Sequence, residues 1–214
     1  MVYLIIQVWK PQKHLLTQQV NFMIYLGVYG LSEDVPVPTY GTKYSSCFDL
    51  VFYPTQPTVS GYTVDNNPVE RVVNGHGEIS IVPGDRLLVP TGLVMKLEQK
   101  ITVEGYNDII FSAAEKDIGR YGIRLHARSG LALKRGLVLA NAEGVVDADY
   151  QYEVFVMLAN ISNVGATIKK GDRIAQGEVV CNEQFEFVKL NEMPSLMADR
   201  TGGFGSTGVM SVTK

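Results

Sequence analysis

The order of apolar and polar residues along the chain predicts many short strands. Runs rich in β-branched and aromatic residues alternate with turn signals about every eight to twelve residues, and no long stretch has apolar residues at helical spacing. This pattern favours an all-β fold, either a β-barrel or a jelly-roll-like sandwich. Residues 129–133 are expected to form one helical turn. The predicted strands are 23–29, 48–53, 78–82, 86–90, 93–95, 123–126, 136–139, 153–159, 166–168, 174–181 and 185–189.

The predicted strands fall in a central region that is flanked by segments of different composition. Residues 1–22 are interpreted as an N-terminal extension, an apolar run followed by a glutamine-rich stretch. Residues 23–193 carry the strands, with insertions near 54–77 and 98–120. The first insertion is rich in Pro, Gly, Asn and Thr, which favours a long surface loop or an accessory hairpin, and the second could be a hairpin or a short lid. Residues 194–214 are expected to form a glycine-rich, flexible C-terminal arm.

Composition and charge exclude several classes of function. A net charge of −3 argues against a general nucleic-acid or membrane-surface binder, so any phosphate site must be local. Neither Cys47 nor Cys181 joins a cluster with the spacing of a zinc site, and the three histidines are scattered, so we expect no histidine or cysteine metal site. Residues 1–9 are too short to span a bilayer and lack the features of a secretory signal. We therefore expect a soluble, cytoplasmic protein.

The stretch 144–150, Gly-Val-Val-Asp-Ala-Asp-Tyr, delivers two carboxylates and a phenol ring into a turn. A buried strand is predicted directly after it, at 153–159, so we predict a hairpin with a tight acidic turn. A carboxylate on a rigid hairpin is well placed to act as a general base, because the backbone fixes its aim. The alternative is an ordinary hairpin with a solvated acidic tip.

The glycine-rich tail is a candidate phosphate-binding segment. Residues 203–208 match the pattern G-x-G-x-x-G, but no strand–turn–helix surrounds them, which excludes a dinucleotide fingerprint. Glycine-rich backbone still allows N–H groups to approach phosphate oxygens, with hydroxyls at Ser206 and Thr207 and a guanidinium at Arg200. Phe204 lies among glycines and could stack on a flat ligand. The alternative is a tail without function.

Two further segments could contact phosphate. Residues 127–132 set Arg128, Ser129 and Gly130 at the start of the predicted helical turn, where backbone N–H groups favour anions. The alternative is an N-capped turn with a surface arginine. Residues 171–176, Gly-Asp-Arg-Ile-Ala-Gln, resemble a turn leading into a strand, for which turn chemistry is the alternative explanation.

Five segments, in this order, resemble the motifs of the trimeric deoxyuridine triphosphatase (dUTPase) family, and the chain is identified as a member of phage or viral type. Residues 83–93 are similar to the family's scaffold, and the resemblance covers about residues 23 to 208. The five segments are 46–50 (Ser-Cys-Phe-Asp-Leu), 128–132 (Arg-Ser-Gly-Leu-Ala), Asn141 with 144–150, 171–176, and 202–208.

The resemblance implies an activity and an assembly. It implies a jelly-roll-like β-barrel that forms a homotrimer with shared active sites and hydrolyses dUTP to dUMP and pyrophosphate. Such a reaction keeps uracil out of DNA and supplies dUMP. Asp147 would be the general base that activates the water attacking the α-phosphorus. Mg²⁺ would be the cofactor, held by the triphosphate and water without a direct protein ligand.

The resemblance also assigns the substrate contacts. Tyr150 would pack on the deoxyribose, and Asn141 with the backbone near Gly144 would read the uracil edge. Asp49 would be a partner of the phosphate-binding arginines and of the hydrated metal. The residues that grip the phosphates would be Arg128, Ser129, Gly130 and Gln176. The residues of the arm that close over the nucleotide would be Phe204, stacked on uracil, and Arg200, Gly205, Ser206 and Thr207, near the γ-phosphate.

The chain departs from the family pattern at three places. Cys47 replaces a glycine of the first motif, Tyr152 replaces a glycine of the hairpin that receives uracil, and the arm has one residue more after Arg200. Two other functions stay open: a dUTPase-fold regulatory or binding protein, and a related dNTP hydrolase or dCTP deaminase with altered base specificity. The deaminase's catalytic glutamate would fall near Met157, and methionine does no acid–base work.

Overall fold

The computed structural model describes the backbone of residues 2–6, 20–103 and 120–195, with side chains for 24–98 and 120–195. The regular secondary structure of these residues is almost entirely antiparallel strand, which confirms the all-β prediction. The one helix within them is α1, Ser129–Arg135. The strands are β1 Val2–Ile6, β2 Val20–Gly30, β3 Phe48–Val51, β4 Thr58–Tyr62, β5 Pro68–Val72, β6 Glu78–Ile81, β7 Arg86–Val103, β8 Tyr121–Ala127, β9 Leu137–Leu139, β10 Gly144–Asp147, β11 Glu153–Asn160, β12 Ala166–Lys169 and β13 Arg173–Cys181.

The strands form three sheets. The largest has the order β1-β2-β7-β11-β9, with the β4–β5 hairpin attached to β7 through β4. The second has the order β10-β8-β13-β3, and the third pairs β12 with β6. Alternate residues of these strands enter one core, as on β11, where Val154, Val156 and Leu158 are buried. Within the described residues, no helix has the length and apolar character needed to cross a membrane.

The chain divides into two compact units, Met1–Glu183 and Gln184–Lys214. Every strand and the helix named above lie in the first unit. In the second, residues 184–195 contain no strand, so the strand predicted at 185–189 is wrong. Its Phe185, Phe187 and Val188 are largely exposed. Residue types that favour strands do not form one without a pairing strand to satisfy the backbone.

Strand β7 is longer than the sequence predicted. The Thr91–Gly92 step was expected to separate two strands, but the chain continues through Gly92 with φ +70°. A Cβ there would lie 2.9 Å from Cδ1 of Tyr53, so only glycine fits. The register of β7 with β11 also shifts near this point, and β7 pairs with β2 beyond it. Gly92 therefore allows β7 to pair first with β11 and then, further along, with β2.

The insertion at 54–77 is an accessory hairpin, the second of the two predicted alternatives. Thr58 pairs with Val72 and Tyr62 with Pro68. Arg71 of β5 donates two hydrogen bonds, of 2.8 and 2.9 Å, to the fully buried carboxylate of Asp85. Asp85 also accepts the Val82 N–H at 3.2 Å. This pair fastens the hairpin to the turn before β7, and it raises the pKa of Arg71.

Replacing Arg71→Ala should lower the free energy of unfolding by about 3 kcal/mol, because a buried carboxylate then loses its counter-ion. Urea unfolding at pH 7 measures the change. Lys96→Ala is the matched control, since its ion pair with Glu98 is exposed and should contribute little. Equal effects of the two substitutions would contradict the structural role of the Arg71–Asp85 pair.

Candidate active site

Strands β10 and β11 lie in different sheets, so the predicted hairpin of 144–147 with 153–159 is wrong. β10 pairs with β8, whereas β11 pairs with β7 and β9. Residues 148–152 carry the chain between the two sheets through a turn in which the Tyr150 N–H donates to Asp147 O at 3.1 Å. The acidic turn is thus a crossover between sheets.

A cavity of about 280 Å³ opens where β10 and β11 separate. Three residues predicted to contact the nucleoside, Asn141, Gly144 and Tyr150, line it together. A Cβ on Gly144 would lie 2.9 Å from Cβ of Leu125, so glycine keeps this wall close-packed. The remaining lining residues are Leu88, Leu125, Leu139, Val145, Val146, Val154, Phe155, Val156 and Met157. A largely apolar cavity with a few polar groups is suited to a flat heterocycle.

The polar groups around this cavity are held by local bonds. The Tyr150 hydroxyl donates to Glu153 O at 2.9 Å, which fixes the phenol ring. The Glu153 carboxylate accepts the Gly92 N–H at 2.8 Å and the Thr55 hydroxyl at 3.1 Å. Burial raises the pKa of Glu153, although these two bonds act in the opposite direction. The start of β11 is therefore anchored to β7 and to the segment after β3.

Asp147 ends β10 with its side chain exposed, directly after the cavity-lining residue Val146. Tyr152 is 75% exposed and packs its ring edge-to-face on Tyr150, with 5.8 Å between the ring centroids. It is not among the lining residues of the cavity. The tyrosine that departs from the family pattern thus packs on Tyr150 without lining the space that Asn141 and Gly144 line.

A second group of side chains, the phosphate cluster, contains the residues predicted to bind phosphate. Asp49 accepts a bond from Arg128 Nε at 2.9 Å and one from Arg173 at 3.1 Å. Gln176 lies opposite Asp49 in the β3–β13 ladder and opposite His126 in the β13–β8 ladder. Asp49 therefore holds two guanidinium groups side by side, next to the amide of Gln176.

Ser129 and Gly130 begin α1 beside this cluster. Both are exposed, and the space around a Cβ on Gly130 is open. The first helical bonds are donated by the Leu131 and Ala132 N–H groups to Arg128 O, at 3.0 and 2.9 Å. The Ser129 and Gly130 N–H groups precede these bonds, which is the arrangement that binds anions at helix starts.

The cavity residues with Asp147, which make up the nucleoside cluster, and the phosphate cluster lie at opposite ends of β8. Asp147 pairs with Gly122 near the start of β8, whereas Arg128 follows its last residue, Ala127. An extended chain rises about 3.4 Å per residue, so about 20 Å separates Gly122 from Arg128. One chain therefore does not bring the predicted general base to the predicted phosphate-binding residues. The predicted arm residues Arg200, Phe204, Gly205, Ser206 and Thr207 lie outside the described residues.

Comparison with known proteins identifies the family. The deoxyuridine 5'-triphosphate nucleotidohydrolase of Caulobacter vibrioides is 35% identical over 178 residues, which cover 83% of this chain and 89% of that protein. That of Nautilia profundicola is 31% identical over 183 residues, or 86% and 98% of the two chains. A model of the dUTPase family matches residues 112–208. The chain belongs to the dUTPase family. It is accordingly an enzyme, of the nucleotide hydrolase class.

Solved dUTPase structures resemble this chain in fold. The dUTPase of Staphylococcus bacteriophage 80alpha with dUpNHpp has a TM-score of 0.59 at 19% identity and covers 86% of this chain and 98% of that one. The dUTPase of phage phi11 of S. aureus has a TM-score of 0.54 at 17% identity, with coverages of 80% and 99%. The jelly-roll-like fold predicted from the sequence is thereby confirmed. The phage type expected from the sequence is compatible with these neighbours.

Two groupings of side chains in this dUTPase-family chain were missed by sequence reasoning. Arg173 joins Arg128 on Asp49, although no individual role was predicted for Arg173 within the segment 171–176. Cys47, His126 and Glu178 meet with their ligand atoms within 4.8 Å of one another, contrary to the expectation of scattered histidines and cysteines. The signal for both lies in the register of β3, β8 and β13, which local spacing does not reveal.

Proposed function

We propose that this chain hydrolyses dUTP to dUMP and pyrophosphate. Membership of the dUTPase family supports this proposal. The observation that carries it is the cavity beside Asp147, because Asn141, Gly144 and Tyr150, all within the stretch 141–150, line it together. These are the residues for which the sequence predicted contacts with the nucleoside.

The cavity would take the nucleoside. The side chain of Asn141 offers one acceptor and a donor group, which complement the edge of uracil. The Tyr150 ring would pack on the deoxyribose, where a 2'-hydroxyl would clash, and its bond to Glu153 O fixes the ring for that contact. The apolar walls would exclude water from the base.

Asp147 would act as the general base. Its carboxylate would take a proton from a water molecule as the water oxygen forms a bond to the α-phosphorus. The bond between that phosphorus and the oxygen that bridges to the β-phosphorus would break, and pyrophosphate would leave. A positioned base of this kind contributes about 100-fold or more to a rate.

The second cluster would hold the triphosphate. The protein carries a net charge of −3, so local donors must offset the charge of the substrate. Arg128 offers a planar fork of donors, and the Ser129 and Gly130 N–H groups with the Gln176 amide add neutral ones. Asp49 would keep the Arg128 and Arg173 guanidinium groups in place before the phosphates arrive.

We propose Mg²⁺ as the cofactor, carried by the triphosphate. Among the described residues, the group of three potential ligands is Cys47, His126 and Glu178, and Mg²⁺ prefers oxygen donors. Asp49 is the carboxylate nearest the phosphate donors and could contact the ion through water. When bound, Mg²⁺ would neutralise charge on the phosphate oxygens.

A homotrimer with shared active sites would bring the two clusters together. They lie about 20 Å apart along β8, which is too far for one chain to hold both the base and the phosphates of one nucleotide. Leu88, Phe155 and Met157 are 44, 40 and 37% exposed next to the cavity, so a neighbouring subunit would have an apolar surface to cover. Residues 194–214 would then close over the nucleotide as an arm, with Phe204 on uracil.

Asp147→Asn should lower kcat for dUTP by about 100-fold or more while nucleotide affinity stays unchanged, because the amide keeps the shape but takes no proton. Pyrophosphate release measures the first quantity, and calorimetry with a non-hydrolysable analogue measures the second. Asp149→Asn, two residues further in the same turn, is the matched control and should retain activity. Wild-type turnover in Asp147→Asn would show that another group is the base.

Two inactive variants should complement each other if active sites are shared. Asp147→Asn damages the nucleoside cluster and Arg128→Ala the phosphate cluster. In mixed oligomers from equal co-expression, about a quarter of the sites would combine two intact clusters, so activity should return to that fraction. Asp147→Asn mixed with Asn141→Ala is the control, since both changes damage the same cluster and no intact site can form. Absence of recovery in the first pair, in oligomers shown to be mixed, would contradict shared sites.

Tyr152 should not change base selection, because its exposed ring lies outside the cavity. We expect wild type to prefer dUTP over dTTP and dCTP in kcat/KM by more than about tenfold, or about 1.4 kcal/mol. Tyr152→Gly should leave that preference within the same order of magnitude. A large gain in dUTP preference on introducing glycine would show that the tyrosine reshapes the pocket.

A further inference from the structure

Cys47, His126 and Glu178 meet on the outward face of the β10-β8-β13-β3 sheet. Cys47 directly precedes β3, where Phe48 pairs with Gly177, so Cys47 lies beside Glu178 of β13. His126 of β8 pairs with Gln176, two residues from Glu178 on the same face. The three side chains are partly buried, and their potential ligand atoms all lie within 4.8 Å of one another.

We propose that these three side chains bind one transition-metal ion of the zinc type. The site goes beyond the proposed hydrolysis and does not depend on it. A thiolate, an imidazole and a carboxylate together are donors that Zn²⁺ or Co²⁺ accepts, whereas Mg²⁺ and Ca²⁺ select oxygen ligands. Three protein ligands leave the fourth tetrahedral position open to water or to another ligand.

The geometry is close to what such an ion requires. His126 Nε2 already lies 3.0 Å from Glu178 Oε1. Bond lengths of zinc to sulfur, nitrogen and oxygen imply separations of roughly 3.4 to 3.7 Å between tetrahedral ligands. All the potential ligand atoms lie within 4.8 Å of one another, and the ladder fixes the backbones of β8 and β13, so the remaining adjustment would fall to side-chain rotations.

Glu143 would orient the histidine. Its Oε1 lies 3.7 Å from His126 Nδ1, on the opposite side of the ring from Glu178. A metal-bound histidine commonly donates its other N–H to a carboxylate, which fixes the ring and makes the bound nitrogen more basic. The Arg124 guanidinium lies near these groups, but it faces Glu143 at 3.7 Å and donates to Asn182 at 3.3 Å.

The site is distinct from the phosphate cluster although it shares a face with it. Both oxygens of Asp49, two residues after Cys47, are held by Arg128 and Arg173. The carboxylates of Glu178 and Asp49 place negative charge close to the Cys47 thiol. The same negative surroundings favour a divalent cation in place of the thiol proton.

Metal-free, tag-free protein without nucleotide tests the proposal by titration with Co²⁺ and, separately, with Zn²⁺. One Co²⁺ per chain should bind and produce a thiolate-to-cobalt charge-transfer band, which Zn²⁺ removes and excess Mg²⁺ does not. Cys47→Ser should abolish the band and weaken Zn²⁺ binding by about 100-fold or more, and His126→Gln should weaken binding to a similar extent. Glu143→Gln should keep the band and weaken binding by about tenfold.

Each variant has a matched control in the same chain. Cys181→Ser removes the exposed second cysteine, and His76→Gln removes a histidine from an exposed turn; both should bind Zn²⁺ as wild type does. Circular dichroism and thermal melting verify that each variant folds. If one of the other ligand variants does not fold, Glu178→Gln replaces it as a milder change to the same site. A band that persists in folded Cys47→Ser, or displacement of Co²⁺ by Mg²⁺, would overturn the proposal. Neither result would bear on dUTP hydrolysis, because no nucleotide is present.

Discussion

The antiparallel register of β8 with β10 on one side and β13 on the other determines where each functional group lies. Pairing of Asp147 with Gly122 places the acidic crossover at one end of β8. Pairing of Gln176 with His126 places the phosphate cluster at the other end. Backbone ladders leave no freedom to shorten this separation, since a slip by one residue would turn every buried side chain of β8 to the surface. That register is the structural reason for proposing that a second subunit completes each site.

A few buried polar groups keep the sheets in that arrangement. Asn160, which is almost fully buried, donates to Ile81 O and Val164 O at 2.9 Å and accepts from the Ser162 N–H at 3.0 Å. It thereby ties the end of β11 to the small β6–β12 sheet. Thr91, also buried, donates to Val154 O at 2.6 Å across the β7–β11 pair. Because each of these groups is satisfied, they specify the packing instead of weakening it.

Local sequence was sufficient for the fold class and for part of the site. Runs of apolar and β-branched residues identified most of the strands, but not the full length of β7 or the absence of a strand at 185–189. Turn-forming residues at 54–77 allowed the hairpin that β4 and β5 form. Periodicity reports which face of a strand is buried but not which strand lies beside it. The hairpin predicted at 144–159 failed for this reason, as did the expectation that Cys47 and His126 stand apart. Both errors concern pairings between segments distant in sequence, which only the folded register fixes.

The alternation of side chains along the strands also places the proposed metal site next to the phosphate cluster. Cys47 and Asp49 are two residues apart on one face, as are Glu178 and Gln176. An ion bound by Cys47, His126 and Glu178 would therefore place positive charge beside the carboxylate that holds Arg128 and Arg173. Charges this close and partly buried interact with little screening by salt. Asp49 would then be drawn between the arginines and the ion, so metal occupancy would influence how firmly the guanidinium groups of Arg128 and Arg173 are held.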